Sequence, residues 1–185
     1  MQRRHTWGTC AGLILLAEAA NRTKRGGQDL IGGIDVRVNR NHFGRQVESF
    51  EAPLTLSFLK DVDAAIGLEP FNGVFIRAPV VEKILKRREG PQDEEQRNPD
   101  TIVAPAGVAE DGVRTEVVTG EVEVLAKLDR RAVAVAGPGR GAEGEEGDIV
   151  AVRQGNVFGT SFHPELTNDP RIHVWWLLQV VESMH

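Results

Sequence analysis

Cysteine is almost missing from this chain, with one in 185 residues. A single thiol closes no intrachain disulfide, so nothing in the sequence speaks for an oxidising compartment. Long apolar runs are missing too. None approaches the ~20 residues of a membrane span, and no transmembrane segment is expected. No paired Cys or His spacing suggests a zinc site and no phosphate-binding P-loop occurs, so neither a metal nor a nucleotide is expected. Basic residues are the minority, 22 Lys and Arg against 27 Asp and Glu, for a formal net charge of −5. The one basic cluster, Lys86-Arg87-Arg88, is diluted by Glu89, Asp93, Glu94 and Glu95, which argues against nucleic acid as a partner. What remains is 41% hydrophobic content, enough for one globular core over residues 1–185.

The lone thiol lies in the stretch WGTCAGLILLAE, residues 7–18, which has two readings. Met1 to His5 is basic, Leu13 to Leu16 is apolar and Ala17-Glu18-Ala19 has small residues, the outline of a secretory signal peptide. Against that outline, Gly8, Thr9 and Gly12 dilute the apolar part and a glutamate occupies the cleavage site. In the other reading, Gly8-Thr9-Cys10-Ala11-Gly12 is the cysteine version of G-x-S-x-G, a sharp strand-to-helix turn that exposes a nucleophile. Glycines suit that turn because it leaves little room for side chains. A helix starting in the following apolar run would put the thiol at its N-terminus, where dipole and backbone N–H groups favour thiolate. A tight turn over an inert buried cysteine would produce the same pentapeptide.

A nucleophile needs a base. Of five histidines, His5, His42, His163, His173 and His185, only His163 has a suitable setting. Phe158 to Glu165, FGTSFHPE, reads as a strand ending in His-Pro-Glu. Residues i and i+2 of an extended chain project to one side, so Glu165 can reach the His163 imidazole and fix its tautomer. Pro164 has no N–H and marks a strand end, where open α/β sheets place their active sites. With the elbow, the motif makes a candidate Cys10-His163-Glu165 triad.

Four separated segments, GTCAGLILLA, RNHFGRQVESFEA, FNGVFIRAP and GTSFHPELTND, together resemble the glutaminase subunit of pyridoxal phosphate synthase. This is the PdxT/SNO branch of the class I (triad) glutamine amidotransferases. The resemblance places the elbow inside a folded domain. It implies an α/β fold, a class I glutamine amidotransferase-like (flavodoxin-like) open sheet flanked by helices. It also implies glutamine hydrolysis to glutamate and ammonia, with ammonia passed to a PdxS/SNZ-type synthase subunit in a cytoplasmic hetero-oligomer. By the same resemblance, Cys10 would form the glutamyl thioester and His163 would act as base and then acid. Glu165 would orient His163, and the Ala11 N–H would serve the oxyanion. Arg40 of the RN-x-FGRQ segment and Ile76 and Arg77 of FIRAP would bind the substrate's amino-acid moiety, a planar guanidinium suiting a carboxylate. Surface ion pairing is the alternative for both arginines. No cofactor is implied, because the sulfur supplies the chemistry. His42 is expected in surface or supporting packing.

Full-length members of that branch carry GLQG and PGGES motifs ahead of the GTCAG strand, whereas this chain begins a few residues before it. The expectation is an N-terminally truncated domain without the first strands and without the glycine-rich loop that gives the second oxyanion donor. A catalytically impaired product that keeps at most synthase binding is therefore the alternative function. A different cysteine hydrolase acting on a glutamyl compound is a third, disfavoured by RNHFGRQ and FIRAP.

Elsewhere, residues 33–38, 50–58 and 73–77 read as strands. Residues 148–153 and 157–162 read as a hairpin about Gln154-Gly155-Asn156, and a closing helix runs from Asp169 or Pro170 to Met184. Its Ile172, Trp175, Trp176 and Leu178, with Gln179 and Glu182 as polar interruptions, form a core-packing stripe. Residues 82–112 and 136–148 are low in apolar content and read as inserted surface loops.

Overall fold

The computed structural model describes residues 5–22, 28–40, 42–43, 49–60, 62, 70–86, 92–105, 120–129 and 147–184. Ten strands appear among them: β1 (Thr6–Thr9), β2 (Ala17–Asn21), β3 (Ile34–Asn39), β4 (Ser49–Leu54), β5 (Phe71–Ile76), β6 (Val80–Ile84), β7 (Thr101–Val103), β8 (Glu123–Leu128), β9 (Asp148–Gln154) and β10 (Val157–Thr160). The helices are α1 (Ala11–Leu16), α2 (Asp93–Gln96) and α3 (Arg171–Glu182). Eight strands form one sheet in the order β1-β10-β9-β6-β3-β2-β7, with β8 also paired to β9, while β4 and β5 make a separate hairpin. The architecture is the α/β sheet with flanking helices that the sequence implied. The pairs β1–β10 and β2–β3 are parallel and the others antiparallel.

The parallel pair β1–β10 positions the site. Its register matches Thr6 with Val157, Trp7 with Phe158, Gly8 with Gly159 and Thr9 with Thr160, so both strands run out at the same end of the sheet. Gly155 takes a φ of +56° in the β9–β10 turn, a conformation that glycine adopts without a Cβ clash. The Thr6 N–H then donates to Asn156 O at 3.0 Å, tying the start of β1 to that turn.

Alternation along the strands sends side chains to two cores. One face carries Leu13 and Leu16 of α1 against Ile34, Val36, Val38, Val81, Val152 and Val157. The opposite face carries Phe158, Phe162, Ile172 and Trp175, joined by Phe71 and Phe75 of the β5 hairpin strand. Trp7 lies 5.3 Å from Phe158 between ring centroids, and Trp175 lies 5.1 Å from it. Each fully buried phenylalanine of this kind contributes about 1.5–3 kcal/mol relative to an exposed one.

The strand expected over 50–58 stops at Leu54 and is followed by a 3₁₀ turn, Ser57–Leu59, that buries Leu59. In α3 only part of the expected stripe is buried: Ile172 and Trp175 are covered, whereas Leu178 is 47% exposed. The reading of 82–112 as an inserted loop needs correction, because this segment contains the end of β6, all of α2 and all of β7. β7 pairs antiparallel with β2, and Glu95 of α2 is 8% exposed. Arg37 Nη1 donates to Glu95 Oε2 at 2.6 Å and to Thr101 Oγ1 at 2.5 Å, while Arg37 Nε donates to Glu82 Oε2 at 2.8 Å. Low apolar content misled because this segment is fastened by charge rather than by hydrophobic burial. Residues 106–112 and 136–146 lie outside the described residues. Asp148, which ends the second expected loop and opens the strand expected over 148–153, is the first residue of β9.

Candidate active site

Cys10 follows β1 and precedes α1, and its backbone has φ 48° and ψ −102°. A positive φ is rare for a residue with a Cβ and costs of order 1–3 kcal/mol. Such a turn between a strand and a helix is the geometry of a nucleophile elbow. Two contacts hold it: the Cys10 N–H donates to Thr160 O at 2.7 Å, and the Ile14 N–H donates to Cys10 O at 3.3 Å. Gly8 is required sterically, since a Cβ there would lie 2.5 Å from Gly12 C and 2.7 Å from Leu16 Cδ1. Gly159 is less strictly constrained, because a Cβ there would meet the end of a side chain, Leu13 Cδ1 at 2.5 Å, and not backbone. Gly12 differs from expectation, because a Cβ on it would meet nothing within 4 Å. The close approach belongs to the strand glycines, which let α1 lie directly on β1 and β10.

His163 leaves the end of the adjacent strand, and its N–H donates to Val74 O of β5 at 2.8 Å. Its Nδ1 lies 2.7 Å from Glu165 Oε1, so the i, i+2 reach expected from the sequence is present. This contact directs Nε2 away from the carboxylate, leaving that nitrogen to exchange a proton with a substrate or nucleophile. The Cys10 sulfur donates to Ile76 O at 3.7 Å. Among the described residues no hydrogen bond joins the sulfur to the imidazole.

Electrostatics at the thiol run against the expectation of a resting thiolate. Burial pushes the Cys10 thiol up, the Ala11 backbone N–H opposes this, and the Glu165 carboxylate adds to the rise. A protonated thiol makes a nearby base a requirement for nucleophilic chemistry. Cys10 and the His163-Glu165 pair meet at one end of β5, whose Ile76 and Val74 carbonyls contact the Cys10 sulfur and the His163 N–H.

Ile76 meets the site through its carbonyl, and Arg77 follows it with a φ of 45°. Arg40 lies just beyond β3. Its N–H donates to Asn21 Oδ1 at 2.7 Å and its Nη2 donates to Gln28 O at 3.2 Å. These contacts fasten Arg40 to the β2–β3 end, and no described hydrogen bond links it to Cys10. Its Nε is buried without a hydrogen-bond partner, and burial lowers the guanidinium pKa. A half-buried cation with an unused buried donor is suited to an incoming carboxylate.

Two contacts escaped sequence reasoning. His42 Nε2 lies 3.1 Å from Asp148 Oδ2, whose side chain is 7% exposed. This second histidine–carboxylate pair joins residues so far apart in sequence that no local spacing announces it. The Val74 carbonyl that holds the His163 backbone was equally invisible, since any β5 residue could have occupied that place. Among the described residues no group of three or more His, Cys, Asp or Glu could hold a metal ion, and no helix is long and apolar enough to cross a membrane.

The SNO glutamine amidotransferase family matches residues 1–109 and 118–182. The chain is 41% identical over 167 residues to the pyridoxal 5'-phosphate synthase subunit PdxT of Streptomyces coelicolor, covering 90% of this chain and 54% of the relative. It is 38% identical over 180 residues to the PdxT of Methanocella arvoryzae, covering 95% and 59%. A crystal structure of a glutamine amidotransferase is similar with a TM-score of 0.55 at 34% identity, covering 96% of this chain and 61% of that one. The chain thus spans a little over half the length of the relatives it matches.

Proposed function

Because the chain belongs to the SNO glutamine amidotransferase family, we propose that it hydrolyses glutamine to glutamate and ammonia and hands the ammonia to a pyridoxal phosphate synthase subunit. The observation that carries this reading is the strained Cys10 turn beside the His163-Glu165 pair. His163 Nε2 takes the thiol proton, Glu165 holds Nδ1, and the sulfur attacks the carboxamide carbon. The Ala11 N–H donates to the oxyanion. The C–N bond breaks as His163 returns the proton to the departing nitrogen, giving ammonia and a Cys10 thioester. Water, deprotonated by His163, then attacks the thioester, the C–S bond breaks, and glutamate leaves as the thiol is reprotonated. Arg40 and Arg77 bind the substrate's amino-acid moiety, with Ile76, next to Arg77 in the chain, contributing to the same site. No step calls for a cofactor. The reading places the protein in the cytoplasm as part of a hetero-oligomer.

The test is ammonia release from glutamine with synthase present and Cys10→Ala as blank. The expected result is ammonia release that disappears in Cys10→Ala. Ammonia release that persists in Cys10→Ala would sink the assignment. Arg40→Ala and Arg77→Ala should raise the KM for glutamine more than they lower kcat, and an unchanged KM in both removes their binding role.

A further inference from the structure

Beside the His163 turn, the outward face of the β4–β5 hairpin and the chain that leads into α3 enclose a cavity of about 420 Å³. Glu51, Asn72 and Val74 line one wall and Leu166, Asp169 and Arg171 the other. Resting on the functional reading above, we infer that the synthase subunit docks here and inserts a lysine or arginine side chain between these walls.

Charge selects that occupant. Arg171 is only 5% exposed, and its Nε and Nη2 donate to Asp169 Oδ2 at 2.9 Å and 2.6 Å. The two charges of the floor therefore offset each other. Glu51 is exposed on the outward face of β4 and accepts one hydrogen bond, from Asn72 Nδ2 to Oε2 at 2.6 Å. No ion pair of Glu51 occurs among the described residues, so the described lining has a net negative charge, with the Glu51 carboxylate as an exposed acceptor. Leu166, 56% exposed, supplies an apolar lip for the methylene stem of a long basic side chain.

Position supports the same choice. Val74 lines the cavity with its side chain while its carbonyl holds the His163 N–H at 2.8 Å, and two residues further along β5 the Ile76 carbonyl contacts the Cys10 sulfur. A partner seated on this wall sits within one strand's length of the atoms that release ammonia. A subunit that must receive a small, freely diffusing product gains from such proximity.

The experiment titrates the purified synthase subunit into this chain, into Glu51→Lys and into Leu166→Asp, at low and physiological salt. Leu177→Asp, on the exposed face of α3 with Leu177 60% exposed, serves as a remote control. All altered positions are exposed, and circular dichroism checks that each variant folds. The expected result is about a tenfold or greater weakening for Glu51→Lys and for Leu166→Asp. Leu177→Asp should leave binding unchanged, and the Glu51 effect should shrink as salt rises. Equal binding by the unaltered chain, Glu51→Lys and Leu166→Asp overturns this docking site alone. Loss confined to Leu177→Asp overturns it in favour of the α3 face. Absence of binding even by the unaltered chain overturns the functional reading and this inference with it.

Discussion

At the β1 end of the sheet, α1 lies so close to the strands that added Cβ atoms on Gly8 or Gly159 would come within 2.5 Å of a neighbour. At the β7 end, Arg37, Glu82, Glu95, Lys83 and Thr101 meet through ion pairs and hydrogen bonds. The first region is specified by shape and holds Cys10. The second is specified by charge, and it bears on the site only through the sheet. Substitutions should therefore act differently in the two. The packed end should resist any change in volume, while the charged end should accept isosteric changes at a cost that depends on pH and salt.

Phe158→Ala tests the packed end most severely. Phe158 is fully buried between Trp7 and Trp175, so truncation should lower the unfolding free energy by about 3–5 kcal/mol, measured by urea denaturation. A loss below about 1 kcal/mol would mean that the aromatic cluster collapses around the gap. Gly8→Ala adds a single carbon at the same end. Overpacking should destabilise by about 1–3 kcal/mol, and glutaminase activity should fall well beyond the folded fraction lost, because α1 and the Cys10 turn must shift together. Unaltered activity would show that the turn does not depend on that contact.

Glu95→Gln probes the charged end and should cost about 1 kcal/mol near neutral pH, since Arg37 keeps Glu82 and Thr101 as partners. Burial alone would raise the Glu95 carboxyl, but hydrogen bonds from Arg37 and Lys83 outweigh it and hold the pKa below the ordinary value. A depressed carboxylate contributes stability that is complete above its ordinary range, about 4.3. That contribution is lost as pH falls through the folded-state value. Thermal melts of wild type and Glu95→Gln should thus converge on acidification, and a gap that widened instead would contradict the pairing.

Glu18→Gln should have the smallest effect, with the opposite sign. Burial raises the Glu18 carboxyl, the Gly33 N–H opposes the shift, and Asp35 adds to it. A raised carboxyl favours folding fully below its ordinary range and loses that advantage as pH rises through its folded value. The neutral amide should therefore stabilise slightly at pH 7, within about 0.5 kcal/mol, while its oxygen still accepts the Gly33 N–H bond. A marked loss of stability would mean that Glu18 makes a structural contact that glutamine cannot reproduce.

Local features explain what was readable. Cys10 between Gly8 and Gly12 announced a turn, and the strained backbone there bears the turn out. His163 and Glu165 lie two residues apart, and their 2.7 Å contact follows from the reach of an extended segment. The β9–β10 hairpin carried its own turn residues and formed where expected. The segment 82–105 was misread because its few apolar residues concealed Glu95 and Thr101, whose partner Arg37 lies in another strand. Arg40 was singled out by motif, but its present contacts with Asn21 and Gln28 could not have been, since they depend on how β2 and β3 end.

By itself, then, the sequence determined the local geometry of the candidate residues Cys10, His163 and Glu165. A thiol at a glycine-flanked turn and a histidine with a carboxylate two residues on are short-range patterns set by backbone dihedrals and side-chain reach. Tertiary structure alone decided that the two patterns lie at the ends of adjacent parallel strands. It also decided that burial pushes the Cys10 thiol up, that Val74 holds the His163 backbone, and that His42 meets Asp148. Those outcomes depend on strand order and solvent exclusion, which arise from the whole chain burying its apolar faces together and are written in no single segment.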